Sequence, residues 1–285
     1  MNIPVYIRRR FGLVATVIAC AVSAPVLASE SVHLDKFPTE KMQSMPALQD
    51  GARTFVNYCL NCHSASMMRF NRLQDIGLTD EQISGSLQFT EGRVGDLMKV
   101  AMRHEDGKAW FGAAPPDLSV EARARASESG SGADWIYTYL RSYYRDGSRE
   151  TGWNNAIFPN VGMPNPLWQW QGMRGAVEER VAPVTDEATG KVTGWTKTTI
   201  TYDREGNKSE KVEKVSGDGL HEGTHFTLGT PEGGTLSQAE FDDKVANLVA
   251  FMKFMSDPSA STRGRLGIWV LLFIALFVGC TWWLN

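Results

Sequence analysis

Within this 285-residue chain, the run Cys59-Leu60-Asn61-Cys62-His63 holds the residue types and spacing best suited to chemistry. Two thiols separated by two residues and followed at once by an imidazole form the attachment pattern for c-type haem. Two thioethers tether the porphyrin's vinyl groups, and the adjacent histidine reaches the iron from the same side. Zinc would require four converging ligands, and no second cysteine pair exists to supply them. A thioredoxin-like redox pair would need a strand-to-helix setting that this segment lacks. The expectation is one covalently bound haem c, held by Cys59 and Cys62, with His63 as an iron ligand.

The identity of the second iron ligand decides the chemistry. A thioether raises the potential and makes an electron carrier, whereas an open position suits ligand binding or catalysis. Met98, Met102, Met252 and Met255 fall on apolar stripes with helical spacing, where methionine usually packs the core. Met163 stands apart in Asn160-Val161-Gly162-Met163-Pro164-Asn165-Pro166, a loop of turn formers with no stripe to explain it. Gly162 permits close backbone approach, and Pro164 favours an extended conformation at Met163. Met173 and a histidine at 33, 104, 221 or 225 stay open as alternatives.

The elements that must position these groups follow from the apolar pattern. Leu48, Ala52, Phe55, Val56 and Cys59 predict a helix that delivers the first cysteine. Thr79 with Gln82 predicts a capping box. Val94, Leu97, Met98, Ala101 and Met102 predict a second one-faced helix; Ile136, Tyr139, Leu140 and Tyr143 predict a third, opened by the Gly/Ser-rich stretch 127–132. From Val181 to Val215 the residues alternate and are broken by Glu205-Gly206-Asn207, as in a hairpin. A last soluble helix is expected over 237–256, ended by Asp257-Pro258.

The two ends are apolar for different reasons. Arg8, Arg9 and Arg10 precede a short apolar run and the small-residue site Val26-Leu27-Ala28, a secretory signal. Leu266 to Leu284 carries no charge and is long enough to span a bilayer, with Trp269, Trp282 and Trp283 near its ends. The plan is a cleaved signal (1–28), a periplasmic haem domain (29–260) and a single C-terminal transmembrane anchor (261–285) in a bacterial cytoplasmic membrane. Arg263 and Arg265 would then lie on the outer side, against the positive-inside tendency. Loss of the three leader arginines from 29 basic residues leaves 26 against 32 acidic ones, a net of −6. That balance gives no reason to expect nucleic acid as a partner and would attract a basic protein. The expected fold is mainly α, a c-type cytochrome haem domain with loop and β-hairpin insertions, plus the anchor.

Taken with Gly112-Ala113-Ala114-Pro115-Pro116-Asp117-Leu118-Ser119, Tyr143 to Trp153 and Phe158 to Pro164, the attachment site and the anchor give a chain that resembles cytochrome c1 over nearly its whole length. That family is the haem subunit of respiratory ubiquinol:cytochrome c oxidoreductase. The resemblance implies Met163 as the axial ligand, Pro116 beside the haem, and an arginine near a haem propionate. Arg125 fits that last role by spacing, with Arg123 the neighbouring candidate. It also implies cytochrome b and a Rieske iron-sulfur protein as partners and a cytochrome c as acceptor, with the chain passing electrons and breaking no substrate bonds by itself. Some family members hold a disulfide for which this domain has no spare cysteines. An independent anchored cytochrome feeding an oxidase or reductase, and a haem sensor or enzyme with an exchangeable sixth ligand, are the rival readings.

Overall fold

The structure is a computed structural model that describes residues 33–89, 92–186, 189–217 and 220–284. The expected signal, residues 1–28, lies outside them. Helix α1 (Met45–Thr54) begins at Ser44, whose hydroxyl accepts from the Ala47 N–H, with Pro46 in its first turn. Its end widens into π-helical winding over Phe55–Cys59, which carries the chain into the attachment motif. The helix expected from the apolar spacing there is present.

Strand β1 (Ala65–Arg69) follows, and α2 (Asp80–Ser86) opens on the expected capping box, with Thr79 and Gln82 satisfying each other's backbone N–H groups. The helix expected over residues 94–102 is absent. Instead Leu97–Met98 forms β2, antiparallel to β1. The Phe70 and Asn71 N–H groups donate to the Asp96 and Val94 carbonyls, so this segment's backbone pairs with a neighbour rather than with its own next turn. Met98 is fully buried all the same. The apolar spacing was real, and a strand with a turn beside it meets that spacing as well as a helix does.

Helix α3 (His104–Phe111), the short α4 (Glu121–Ala124) and α5 (Gly132–Leu140) come next, α5 opened by a Ser131–Asp134 capping box. Tyr143, expected on the α5 face, falls instead in β3 (Tyr143–Arg145), which pairs with β4 (Trp153–Asn155). After α6 (Trp168–Gln171) the chain enters β5 (Ala176–Thr185), β6 (Val192–Tyr202), β7 (Lys208–Val215) and β8 (Gly223–Leu228). These form one antiparallel sheet in the order β7-β6-β5-β8. The hairpin expected over 181–215 is therefore part of a larger four-stranded unit, closed by pairing of β8 onto β5.

Helix α7 (Gln238–Ser256), capped by Ser237 and Glu240, is the core's long buried element. It crosses α1 closely: a Cβ on Gly51 would lie 2.0 Å from the Asn247 carbonyl oxygen, so no larger residue fits there. Phe55 and Phe251 meet at 5.5 Å between ring centres, and Asp50 accepts from Lys244 at 2.6 Å and Asn247 at 2.9 Å. Asp257-Pro258-Ser259 then breaks the chain before α8 (Ala260–Leu284). Its apolar stretch, Thr262–Leu284, is 23 residues long and unburied, the one helix among the described residues long and apolar enough to cross a membrane. Helices carry the core, but among the described residues eight strands accompany them, so the fold is a mixed one around a helical centre.

Candidate haem-binding site

An apolar cleft of about 330 Å³ opens where the attachment turn, α5 and the Met163 loop meet. The turn after α1 is tight: the Cys62 and His63 N–H groups both donate to the Cys59 carbonyl, at 3.1 and 2.9 Å. Cys62 and His63 line the cleft, while Cys59 is buried in the adjoining core. Cys59 is 8% exposed, and Cys62 is half-buried.

His63 is oriented by one bond. Its Nδ1 lies 2.8 Å from the Pro116 carbonyl oxygen, so Nδ1–H donates there and the Nε2 lone pair is left for a ligand. Burial pushes the imidazole below its ordinary value, against opposing effects of the Pro116 bond, Glu121 and Asp117. The neutral ring is the form that can bind iron. Pro116 thus acts through its backbone, and the segment bearing it is stitched down. The Leu118 N–H donates to the Ser64 carbonyl at 2.8 Å, and the Asp117 carboxylate accepts from Ser66 and Ser119 backbone N–H groups at 2.8 and 2.9 Å.

Opposite this strap, the loop bearing Met163 is positioned by β4. The Asn155 side-chain oxygen accepts from the Ile157 and Phe158 N–H groups, and that of Asn154 accepts from the Asn160 N–H at 2.8 Å. Asn160 turns the chain with φ 62°, and Arg149 clasps its carbonyl. A Cβ on Gly162 would stand 2.6 Å from the Phe111 carbonyl oxygen, so glycine lets the loop pass α3. Met163 reaches the cleft wall, where its sulfur lies 3.5 Å from the Tyr139 hydroxyl.

Arg125 also lines the cleft, with Nε on Glu121 at 2.8 Å and its guanidinium 4.6 Å from the centre of the Trp135 ring. Arg123 is exposed and does not line it. The four other histidines, 33, 104, 221 and 225, are exposed and away from the cleft, and the buried Met98 and half-buried Met173 do not line it. Met252 of α7 does reach the wall. Sequence reasoning missed Glu121, Trp135 and Tyr139 as cleft residues. The signal was present in α5, whose apolar face of Ile136, Tyr139 and Leu140 was read as core and forms one wall.

These residues fit a haem. Among the described residues no three His, Cys, Asp or Glu side chains gather as they would around a bare metal ion. The cleft supplies instead the Cys62 sulfur, one oriented imidazole and a thioether within apolar walls, with Cys59 in the core beside it, a set suited to a tethered porphyrin.

Comparisons with known proteins identify the family to which the chain belongs. The model of the Cytochrome C1 family matches residues 37–174. A protein named ammonia monooxygenase gamma subunit, from Nitrosomonas europaea, is 38% identical over 265 residues, 92% of this chain and 91% of its own length. Cytochrome c1 of Allochromatium vinosum is 34% identical over 268 residues, 93% of each chain, and that of Blastochloris viridis is 23% identical over 292 residues, 94% of this chain and 90% of its own. The chain belongs to the cytochrome c1 family, as a membrane-anchored electron-transfer protein with a covalently bound c-type haem.

Proposed function

We propose that this chain is the haem subunit of a ubiquinol:cytochrome c oxidoreductase, taking electrons from a Rieske iron-sulfur protein beside cytochrome b and passing them to a cytochrome c. Cys59 and Cys62 would hold the haem by thioethers, and His63 and Met163 would supply the nitrogen and sulfur ligands to its iron. The observation that carries this reading is the convergence of Cys62, His63 and Met163 on one apolar cleft, with Nε2 of His63 left free by the Pro116 carbonyl.

When bound, the haem supplies a reversible one-electron couple. Everything else is done by the chain. The Pro116 carbonyl keeps the His63 ring in one tautomer and orientation. The walls formed by Ile136, Leu140 and Val161 exclude water. Arg125 offers a guanidinium to a propionate, at the cost of sharing it with Glu121. His63, fixed by the Pro116 carbonyl, and Met163, fixed by its loop, would hold the iron without large rearrangement of the chain.

In this reading residues 1–28 are removed on export, 29–260 lie on the periplasmic side, and 261–285 anchor the domain in the cytoplasmic membrane. Cytochrome b is supported as a partner by a relative named cytochrome b/c1 from Bradyrhizobium diazoefficiens, 22% identical over 82% of this chain and 31% of its own length.

Mild detergent extraction and identification of the copurifying subunits tests the assembly. Cytochrome b and a Rieske protein are expected. An oxygenase in their place would side with the name of the Nitrosomonas relative, and a lone cytochrome would indicate an independent carrier. Carbon monoxide tests the ligand: the reduced wild type shows little spectral change, whereas Met163→Ala binds it readily. An unaltered response in Met163→Ala would sink the assignment.

A further inference from the structure

The Tyr139 hydroxyl lies 3.5 Å from the Met163 sulfur and 2.7 Å from the Tyr143 hydroxyl. Tyr143 is fully buried, and among the described residues its hydroxyl meets no other hydrogen-bonding group. A buried O–H that gives its proton to nothing is costly, so the Tyr143 proton goes to the Tyr139 oxygen. The Tyr139 proton then has one acceptor left, the thioether. Both protons are satisfied in this direction, and one is stranded in the reverse.

Packing holds the chain in place. The Tyr139 ring stacks on Trp135 at 4.8 Å with 12° between planes and meets Tyr143 edge-on at 5.3 Å. The Asn155 side chain also donates to the Tyr139 backbone carbonyl at 2.8 Å, tying the end of α5 to the same β4 residue that shapes the Met163 loop. The donor and the sulfur are therefore placed by a shared support.

We infer that Tyr139, aimed by Tyr143, is a positioning residue that donates a hydrogen bond to the Met163 thioether and so sets the strength of its bond to iron. This rests on the reading of Met163 as axial ligand. A thioether sulfur has two lone pairs, so it can bind iron with one and accept a hydrogen bond with the other. The hydroxyl's positive end, pointing at the ligand, disfavours the more positive ferric state in a site with little water. It also fixes which lone pair faces the iron by holding the side-chain rotamer. Nothing titrates and no bond to carbon changes; the effect is electrostatic and orientational.

The test uses the full chain purified with its haem in detergent. Tyr139→Phe and Tyr143→Phe each remove one hydroxyl and keep the ring. Tyr144→Phe is the matched control, a buried tyrosine whose ring lies 5.0 Å from that of Tyr202, tilted by 53°, outside the cleft. Tyr139→Phe is expected to lower the midpoint potential, changing the ferric-to-ferrous ratio at fixed potential by up to about fivefold, the size of one net hydrogen bond. It should also displace the red absorption band of the methionine–ferric iron bond while carbon monoxide remains excluded. Tyr143→Phe should move both readouts the same way by less, and Tyr144→Phe should move neither.

An unchanged potential and band in Tyr139→Phe, with Met163→Ala binding carbon monoxide, would overturn the inference and leave the ligand reading intact. Equal shifts in Tyr144→Phe would also overturn it, because they would mark a general loss of stability. If Met163→Ala behaves like the wild type, the ligand reading fails and the inference fails with it.

Discussion

Helix α7 buries twelve of its nineteen residues, whereas β7 exposes seven of its eight. The helical region wraps its apolar side chains around a cleft, and each wall residue is held by neighbours from several distant segments. The sheet from β5 to β8 has only a small cluster of its own, Tyr144 with Ala176, Ile200 and Tyr202, flanked by Phe226 and Leu228. Charged residues dominate β7, from Lys208 to Lys214, which suits an edge strand that must not pair with another chain. The family match ends at residue 174, just before the sheet begins at Ala176. One region lines the cleft, and the other packs beside it without contributing a wall.

The most severe way to challenge that contrast is to open the core. Phe251→Ala removes a fully buried ring packed on Phe55 and should cost about 3–5 kcal/mol in denaturant unfolding, with weakened haem absorbance. A cost below about 1 kcal/mol, the range of exposed substitutions, would mean the α1–α7 contact is not the core of the site.

A milder test removes the sheet. Ala176 and Leu228 are directly paired, so two glycines can replace residues 177–227 without stretching the chain. The haem spectrum and potential should be unchanged, and stability should fall by about 1.5–3 kcal/mol as Tyr144 loses its cover. A displaced potential would show that the sheet contributes to the site after all.

The smallest effect sharpens the electrostatic side of the same comparison. Burial alone would raise the Asp50 carboxyl, but hydrogen bonds from Lys244, Asn247 and Arg53 and the Lys244 charge hold it below its ordinary value of 3.8. Because the folded value is the lower one, the contribution is fully present above 3.8 and is lost as the pH falls through the depressed value. Asp50→Asn should therefore cost on the order of 1 kcal/mol at neutral pH, with the gap from wild type closing in strong acid. A gap that is constant with pH would remove the charge from the account.

How much of this was legible in the sequence depended on how far apart the interacting residues were. The attachment motif could be read because its spacing is set by the porphyrin and lies within five residues. Capping at Thr79–Gln82 and the run of α7 are equally local. Met163 stood out because a turn-forming loop gave it no packing role, although only the family resemblance singled it out. Residues 94–102 were misread because their partner, β1, begins at Ala65, and apolar spacing alone does not reveal a pairing across that distance. The pairing of β8 with β5 was hidden for the same reason. Tyr139 was invisible as a site residue, since a stripe facing a cleft and one facing the core look identical in sequence.

The break between α7 and α8 has a mechanical consequence. Three residues, Asp257-Pro258-Ser259, separate the two helices, and Arg263 reaches back across them to Asp257 at 2.7 Å. Even an unrestrained linker of that length would wander only about 10 Å, and this one is stiffened by proline and pinned by an ion pair. The haem domain is therefore moored at short range over the bilayer, with almost no volume to search.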